Sequence, residues 1–283
     1  MQLLIQFLLR LSFGLAAGMA ITSSKQVTSG YFRNHMYVTL GLSTLAAMVS
    51  YSVAPEVFWY ASFAALLSYV GSVCWLYEMS VAGKAFLLIV ISVSLIGLNG
   101  QLNDQVESNT GHWSNYFPVV ENDQVLTSEQ ANVLQVQASW MGLTSGLLTE
   151  ISIVSSGLLL GMTMAAMLLG HWYLNTPTME LAPLRRLILA MGAAVVFQMI
   201  VSALGLWGEL EYAQEITTQW WLFLLLRWSF GLVGVAALAW MAWETLKIPN
   251  TQSATGILYV AVIGTFVGET MALLLSAESL FPL

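Results

Sequence analysis

The apolar residues of this sequence fall in long blocks of about twenty, and this feature limits what the chain can fold into more than any other. A helix of that length, rising about 1.5 Å per residue, matches the roughly 30 Å hydrocarbon core of a bilayer. Only 8% of the 283 residues are charged, whereas about a quarter are charged in a typical soluble domain. Strand-like alternation is absent, and lipid offers no partners to free backbone groups. We therefore expect membrane-spanning helices.

The blocks predict an all-α, polytopic transmembrane helix bundle of about eight spans. Residues 1–99 would hold helices 1–4 and residues 141–283 helices 5–8. Residues 100–140 are predicted to form a long acidic loop on the outer face. In this loop Thr127-Ser128-Glu129-Gln130 reads as a capping box that opens a short surface helix. The predicted spans lie near residues 3–22, 37–54, 57–79, 82–99, 141–170, 184–207, 218–243 and 256–277.

The basic residues predict how the bundle is oriented. Six of the eight Lys and Arg residues fall in the first, third, fifth and seventh connections, which are therefore expected in the cytoplasm. The even-numbered connections carry acidic residues and no basic ones, so both termini are expected outside. The expected location is a bacterial cytoplasmic membrane. The six basic residues are Lys25, Arg33, Lys84, Arg185, Arg186 and Lys247.

Four ionisable residues are predicted to lie inside the outer half of the membrane. Arg10 and Arg227 belong to the first and seventh spans, and Glu150 and Glu269 to the fifth and eighth. A charge at such depth costs about 3 kcal/mol or more unless it is paired. Two Arg–carboxylate contacts are the simplest arrangement. We expect Arg227 to pair with Glu269, because a short loop joins their helices.

Two interpretations of these four residues stay open. They are structural bridges, or arginines that snorkel to the outer head groups. Alternatively, they form a polar site that opens to the outer face and exchanges a proton or holds a polar head group. In the second case Glu150, next to Thr149 and near Ser152, is the member expected to exchange a proton.

Two pairs of similar segments suggest an internal duplication into two four-helix halves. Gly14–Met19 resembles Gly157–Met162, which would relate the first span to the fifth. Leu9–Leu15 also resembles Leu226–Leu232, which would relate the first span to the seventh. The two offsets disagree, and Gly-xxx-Gly is also the ordinary device for close packing of membrane helices. Both explanations of the glycine pattern stay open.

Cysteine and histidine limit which cofactors this chain can bind. Cys74 is the single cysteine, and His35, His112 and His171 are placed where no two can face each other across the membrane interior. We therefore expect no haem, no iron–sulfur cluster and no metal in this chain. The absence of a basic cluster gives no reason to expect a nucleic-acid partner, and membrane lipid is the expected surrounding.

With its length and its eight predicted spans, and by the sequence of the last two, the chain resembles the membrane-anchor subunits of dimethyl-sulfoxide-reductase-type enzymes and, more distantly, the polysulfide-reductase group. The similarity lies in Arg227-Trp228 inside the seventh span, a short cytoplasmic turn, and Gly268-Glu269 in the eighth. It implies eight helices with both termini outside, an iron–sulfur or other redox partner subunit, and quinone as the molecule that exchanges electrons and protons. This chain lacks the histidine that the resemblance implies between the second and third spans, where it has only Ala54-Pro55-Glu56.

Three functions are compatible with these observations. The leading hypothesis is a quinone-interacting anchor subunit that is not catalytic alone, with Arg10, Arg227, Glu150 and Glu269 as the polar end of an outer-leaflet site. A secondary transporter could use the same charges between two helical halves. A non-catalytic assembly or scaffold subunit is the third. No phosphate loop, nucleophile elbow or zincin motif indicates a self-contained enzyme of soluble type.

Overall fold

The computed structural model describes the backbone of residues 1–116, 128–176, 179–212, 217–248, 250–277 and 279–283, and their side chains except in 101–116, 128–141 and 212. Within these ranges the regular structure is helical, and eight helices are long and apolar enough to cross a membrane. The predicted all-α bundle of eight spans is confirmed, and the chain is an integral membrane protein in contact with lipid. The helices are α1 (Gln2–Ile21), α2 (Ser29–Val53), α3 (Pro55–Leu76), α4 (Ser80–Tyr116), α5 (Ser128–Asn175), α6 (Ala182–Tyr212), α7 (Thr218–Thr245) and α8 (Thr251–Ser276).

The second helix begins earlier than hydropathy predicts. It starts at Ser29 and not near residue 37, because the polar Arg33, Asn34 and His35 interrupt the apolar pattern. Tyr31 and Phe32 are nevertheless fully buried in this first turn. Packing against other helices therefore stabilises helical structure upstream of the apolar segment that hydropathy identifies.

The segment predicted as an acidic loop is helical at both of its ends. The fourth helix continues to Tyr116, and the fifth begins at Ser128. The helix at the expected capping box is thus continuous with the fifth span, and not a separate short surface helix. Hydropathy marks where a helix leaves the lipid, whereas the helix itself can continue into water. Thr127 and the rest of 117–127 lie outside the described residues.

The helices form two four-membered groups with the same order of contacts. In the first group α1 packs on α2, α2 on α3, α3 on α4, and α4 on α1. In the second group α5 packs on α6, α6 on α7, α7 on α8, and α8 on α5. The two groups meet mainly along α1 and α5. This repeated order is the arrangement that a duplication into two halves predicts.

The two similar glycine motifs pack against each other where α1 meets α5. A Cβ on Gly14 would overlap the carbonyl oxygen of Gly157, and a Cβ on Gly161 would overlap the backbone of Gly14. A Cβ on Gly18 would approach the side chain of Ala165. Only glycine allows the two backbones to come this close, so the packing role of the motif is confirmed.

Candidate functional site

A cavity of about 550 Å³ lies between α1, α5 and α8 at the face of the bundle that carries Met1 and Leu283, which we call the terminal face. The segment 279–283 folds back over it after α8 ends. Its wall combines apolar side chains with several hydroxyl groups and two buried arginines, Arg10 and Arg227. The hydroxyl residues are Ser145, Thr149, Ser152, Ser156, Ser276 and Ser279.

Arg10 connects three helices at this cavity. It lies on α1, forms an ion pair with Glu269 on α8, and donates a hydrogen bond of 3.0 Å to the hydroxyl of Ser156 on α5. Arg10 is 7% exposed and Glu269 5%. Because both partners are removed from water, removing one of them would leave the other charge without compensation.

Arg227 occupies the same site from the opposite half of the bundle. It is 2% exposed and begins the π-helical segment Arg227–Gly234 in the middle of α7. Its guanidinium donates to the hydroxyl of Ser202 at 2.8 Å and to the backbone carbonyl of Gly268 at 3.3 Å. Arg227 also interacts electrostatically with Arg10 and Glu269. Short π-helical segments occur often at functional sites.

The expected ion pair between Arg227 and Glu269 is wrong, because the structure pairs Glu269 with Arg10. Sequence proximity predicted correctly that α7 and α8 are neighbours. It did not predict which face each helix presents. Gly231 and Gly268 bring the two backbones into contact, so Arg227 reaches the Gly268 carbonyl. The next residue, Glu269, is rotated by about 100° around the helix and faces α1.

Glu150 is not part of the group formed by Arg10, Arg227 and Glu269. It is exposed on α5, while its neighbours Thr149 and Ser152 line the cavity. The second Arg–carboxylate contact that we expected is therefore not formed. Polar residues stand on both sides of Glu150 in the sequence, so the sequence does not indicate which of them faces the interior of the bundle.

The cavity also contains a segment that sequence reasoning missed. Glu209, at the end of α6 and 6% exposed, accepts the backbone N–H groups of Leu280 at 2.8 Å and Phe281 at 3.0 Å. Gly205 leaves room for the carbonyl of Pro282, and Gly208 for the Phe281 ring. In the sequence, the two glycines close to Glu209 were the signal that could have indicated this contact. An acidic residue at the end of a helix is usually solvated, so the burial of Glu209 was not expected.

Comparison of the sequence with protein-family models finds no match, and neither does comparison with curated proteins or with solved structures.

Proposed function

We propose that this protein is a quinone-interacting membrane subunit of an electron-transfer complex in a bacterial cytoplasmic membrane. It would anchor an iron–sulfur or other redox partner subunit. The observation that supports this most is the cavity of about 550 Å³ with Arg10 and Arg227 in its wall, since pockets of roughly 300–1,000 Å³ suit small ligands. The basic residues of the odd-numbered connections place the terminal face outside in this proposal.

The side chains of the cavity suit a head group that carries carbonyl oxygens. A quinone accepts two electrons, from the partner subunit in this proposal, and two protons. Arg10 and Arg227 donate hydrogen bonds to the carbonyl oxygens, and the apolar Ile153 and Leu273 contact the ring. Glu269, which is ion-paired with Arg10 next to the cavity, would take up each of the two protons from water and pass it to the quinone. In this proposal Glu269 therefore has the proton-exchanging role that we expected for Glu150.

A secondary transporter is the second candidate, favoured by the repeated packing order of the two helical halves. Transporters built from parallel repeats bind substrate where the repeats meet. Arg10 and Arg227 come from different halves and line one cavity, which fits that pattern. Purification in mild detergent separates the two candidates. A redox subunit that copurifies supports the anchor, and a chain that migrates alone supports the transporter.

Filling the cavity at Gly146 is expected to weaken quinone binding by at least tenfold. Gly146 lines the cavity, and a Cβ added there meets no atom within 4 Å, so Gly146→Leu should place its side chain in the cavity without disturbing the fold. Affinity can be measured with a short-chain quinone by quenching of tryptophan fluorescence, on protein purified with any partner subunits it carries.

The matched control for this measurement is Gly192→Leu. Gly192 also has no atom within 4 Å of an added Cβ, but it lies in an apolar groove between α6 and α7, away from the cavity. The control should bind quinone as the parent protein does. Equal affinity for Gly146→Leu and the parent would contradict quinone binding in this cavity.

A further inference from the structure

We propose that the cavity binds an oxyanion of the phosphate type through Arg227 and Arg10. This inference goes beyond the proposed function, because it rests on the charge and the hydrogen-bonding groups of the cavity and holds whether or not quinone binds there. The oxyanion could belong to a phospholipid head group or to a free inorganic anion.

The charges around the cavity do not balance. Arg10 and Arg227 carry the only ionisable side chains among the described residues that line it, and the terminal groups of Met1 and Leu283, which also line it, carry opposite charges that cancel in the sum. Glu269, which does not line the cavity, neutralises the charge of Arg10 through their ion pair. Guanidinium groups keep their proton in proteins, so two positive charges share one negative charge in a buried environment. A second buried cation without a counter-charge is costly at this depth, and a bound anion would remove that cost.

The hydrogen bonds of the two arginines are also incomplete. Arg227 gives its terminal nitrogens to Ser202 and Gly268, which are both uncharged acceptors. The Nε atoms of Arg227 and Arg10 are buried and have no partner. A guanidinium carries five N–H donors in a planar fork. Buried donors of this kind normally have acceptors, so both guanidinium groups are short of acceptors within the described residues.

An oxyanion of the phosphate type supplies what the cavity lacks. It is negatively charged, and its oxygen atoms match the two-pronged geometry of a guanidinium. The hydroxyl group of Ser152 lines the same cavity and can donate to a further oxygen. Apolar residues such as Leu273 and Leu280 also line it, so an acyl chain attached to the oxyanion would find contacts as well.

Calorimetric titration of delipidated protein at constant ionic strength tests the proposal. Inorganic phosphate is the ligand in one arm, and a short-chain phosphatidylglycerol below its micelle concentration is the ligand in the other. Saturable binding in either arm supports the proposal. Binding of both ligands at similar affinity would show that a free anion is sufficient for binding. Binding of the lipid alone would show that the oxyanion belongs to a phospholipid head group.

Substitution of Arg227 tests whether the binding measured in this titration takes place at the cavity. Arg227→Gln should weaken binding by at least about tenfold, the effect of losing one hydrogen bond to a charged group. Arg227→Lys should keep part of the affinity, and it serves if the Gln variant does not fold. Arg33→Gln, the same change near the start of α2 and at the opposite end of this helix from the cavity, should have no effect.

Absence of saturable binding in both arms would overturn the proposal, and so would unchanged affinity in both Arg227 variants. The quinone titration of the Gly146 variants, done on the same preparation, keeps the two proposals separate. Quinone affinity that is the same in Gly146→Leu and the parent protein, with anion binding to the parent intact, would refute only the proposed function.

Discussion

Glu269→Gln is expected to lower the free energy of unfolding by about 3–5 kcal/mol, the cost of breaking a buried ion pair. The substitution leaves Arg10 and Arg227 buried near each other without the carboxylate that pairs with Arg10. Arg10→Met should also destabilise, because Glu269 then loses its partner. The double substitution of Arg10 and Glu269 should recover part of the loss, since it removes both members of the pair. Denaturant titration in mixed micelles measures each step.

The same series distinguishes the observed pair from the one that sequence proximity suggested. Arg227→Met should cost less than Arg10→Met, because the Arg10–Glu269 pair remains intact. Glu244→Gln is the control, since Glu244 pairs with Lys247 at 2.5 Å on the exposed surface, where ion pairs contribute about 0–1 kcal/mol. Recovery in a double variant of Arg227 and Glu269, but not in that of Arg10 and Glu269, would mean that Glu269 pairs with Arg227.

Gly14→Leu is expected to destabilise the bundle by about 3 kcal/mol or more. A Cβ at this position would overlap the backbone of Gly157 on α5, and backbone cannot move aside as a side chain can. Overpacking of a core usually costs about 1–3 kcal/mol, and here the two halves of the bundle must separate. The midpoint of thermal unfolding in detergent should fall clearly below that of the parent protein.

Gly41→Leu is the matched control for the glycine contact. Gly41 lies on an exposed face of α2, where an added Cβ meets nothing within 4 Å. Leucine is a better helix former than glycine, so this variant should be at least as stable as the parent. A Gly14→Leu variant that unfolds at the same temperature as Gly41→Leu would contradict the close packing of α1 on α5.

The fold was largely predictable from the sequence because span length and polarity are local properties. Lipid forces each apolar block into a helix, so the number of spans followed from composition alone. The start of α2 was missed because Arg33, Asn34 and His35 interrupt the apolar pattern, although other helices bury Tyr31 and Phe32 beside them. The glycine motifs of α1 and α5 could be recognised as packing elements, but the sequence could not show that they contact each other.

The candidate site was predictable in part, for a geometric reason. Arg10, Arg227 and Glu269 stand out because charges are rare in apolar helices. Their pairing depends on how each helix is rotated about its axis, and the packing of small residues sets that rotation. Arg10 and Glu269 are separated by 259 positions in the chain, so no local pattern could connect them. Glu150 stood out equally, and only its exposure on α5 separates it from the others.

Thiol labelling at the cavity tests the central claim most directly, namely that the buried charges line a ligand site open to the outer face. Gly146→Cys is placed in a chain whose single cysteine, Cys74, is replaced by serine. Gln219→Cys, beside the start of α7, and Gln252→Cys, beside the start of α8, are exposed references for the two faces. A small, charged, membrane-impermeant thiol reagent is added to intact cells.

We expect Gly146→Cys and Gln219→Cys to react in intact cells, and Gln252→Cys only after the membrane is made permeable. A short-chain quinone should slow the reaction at Gly146→Cys by at least tenfold and leave Gln219→Cys unchanged. Labelling of Gly146→Cys only in permeable cells, or at a rate that quinone does not change, would contradict an outward-facing quinone site at Arg10, Arg227 and Glu269.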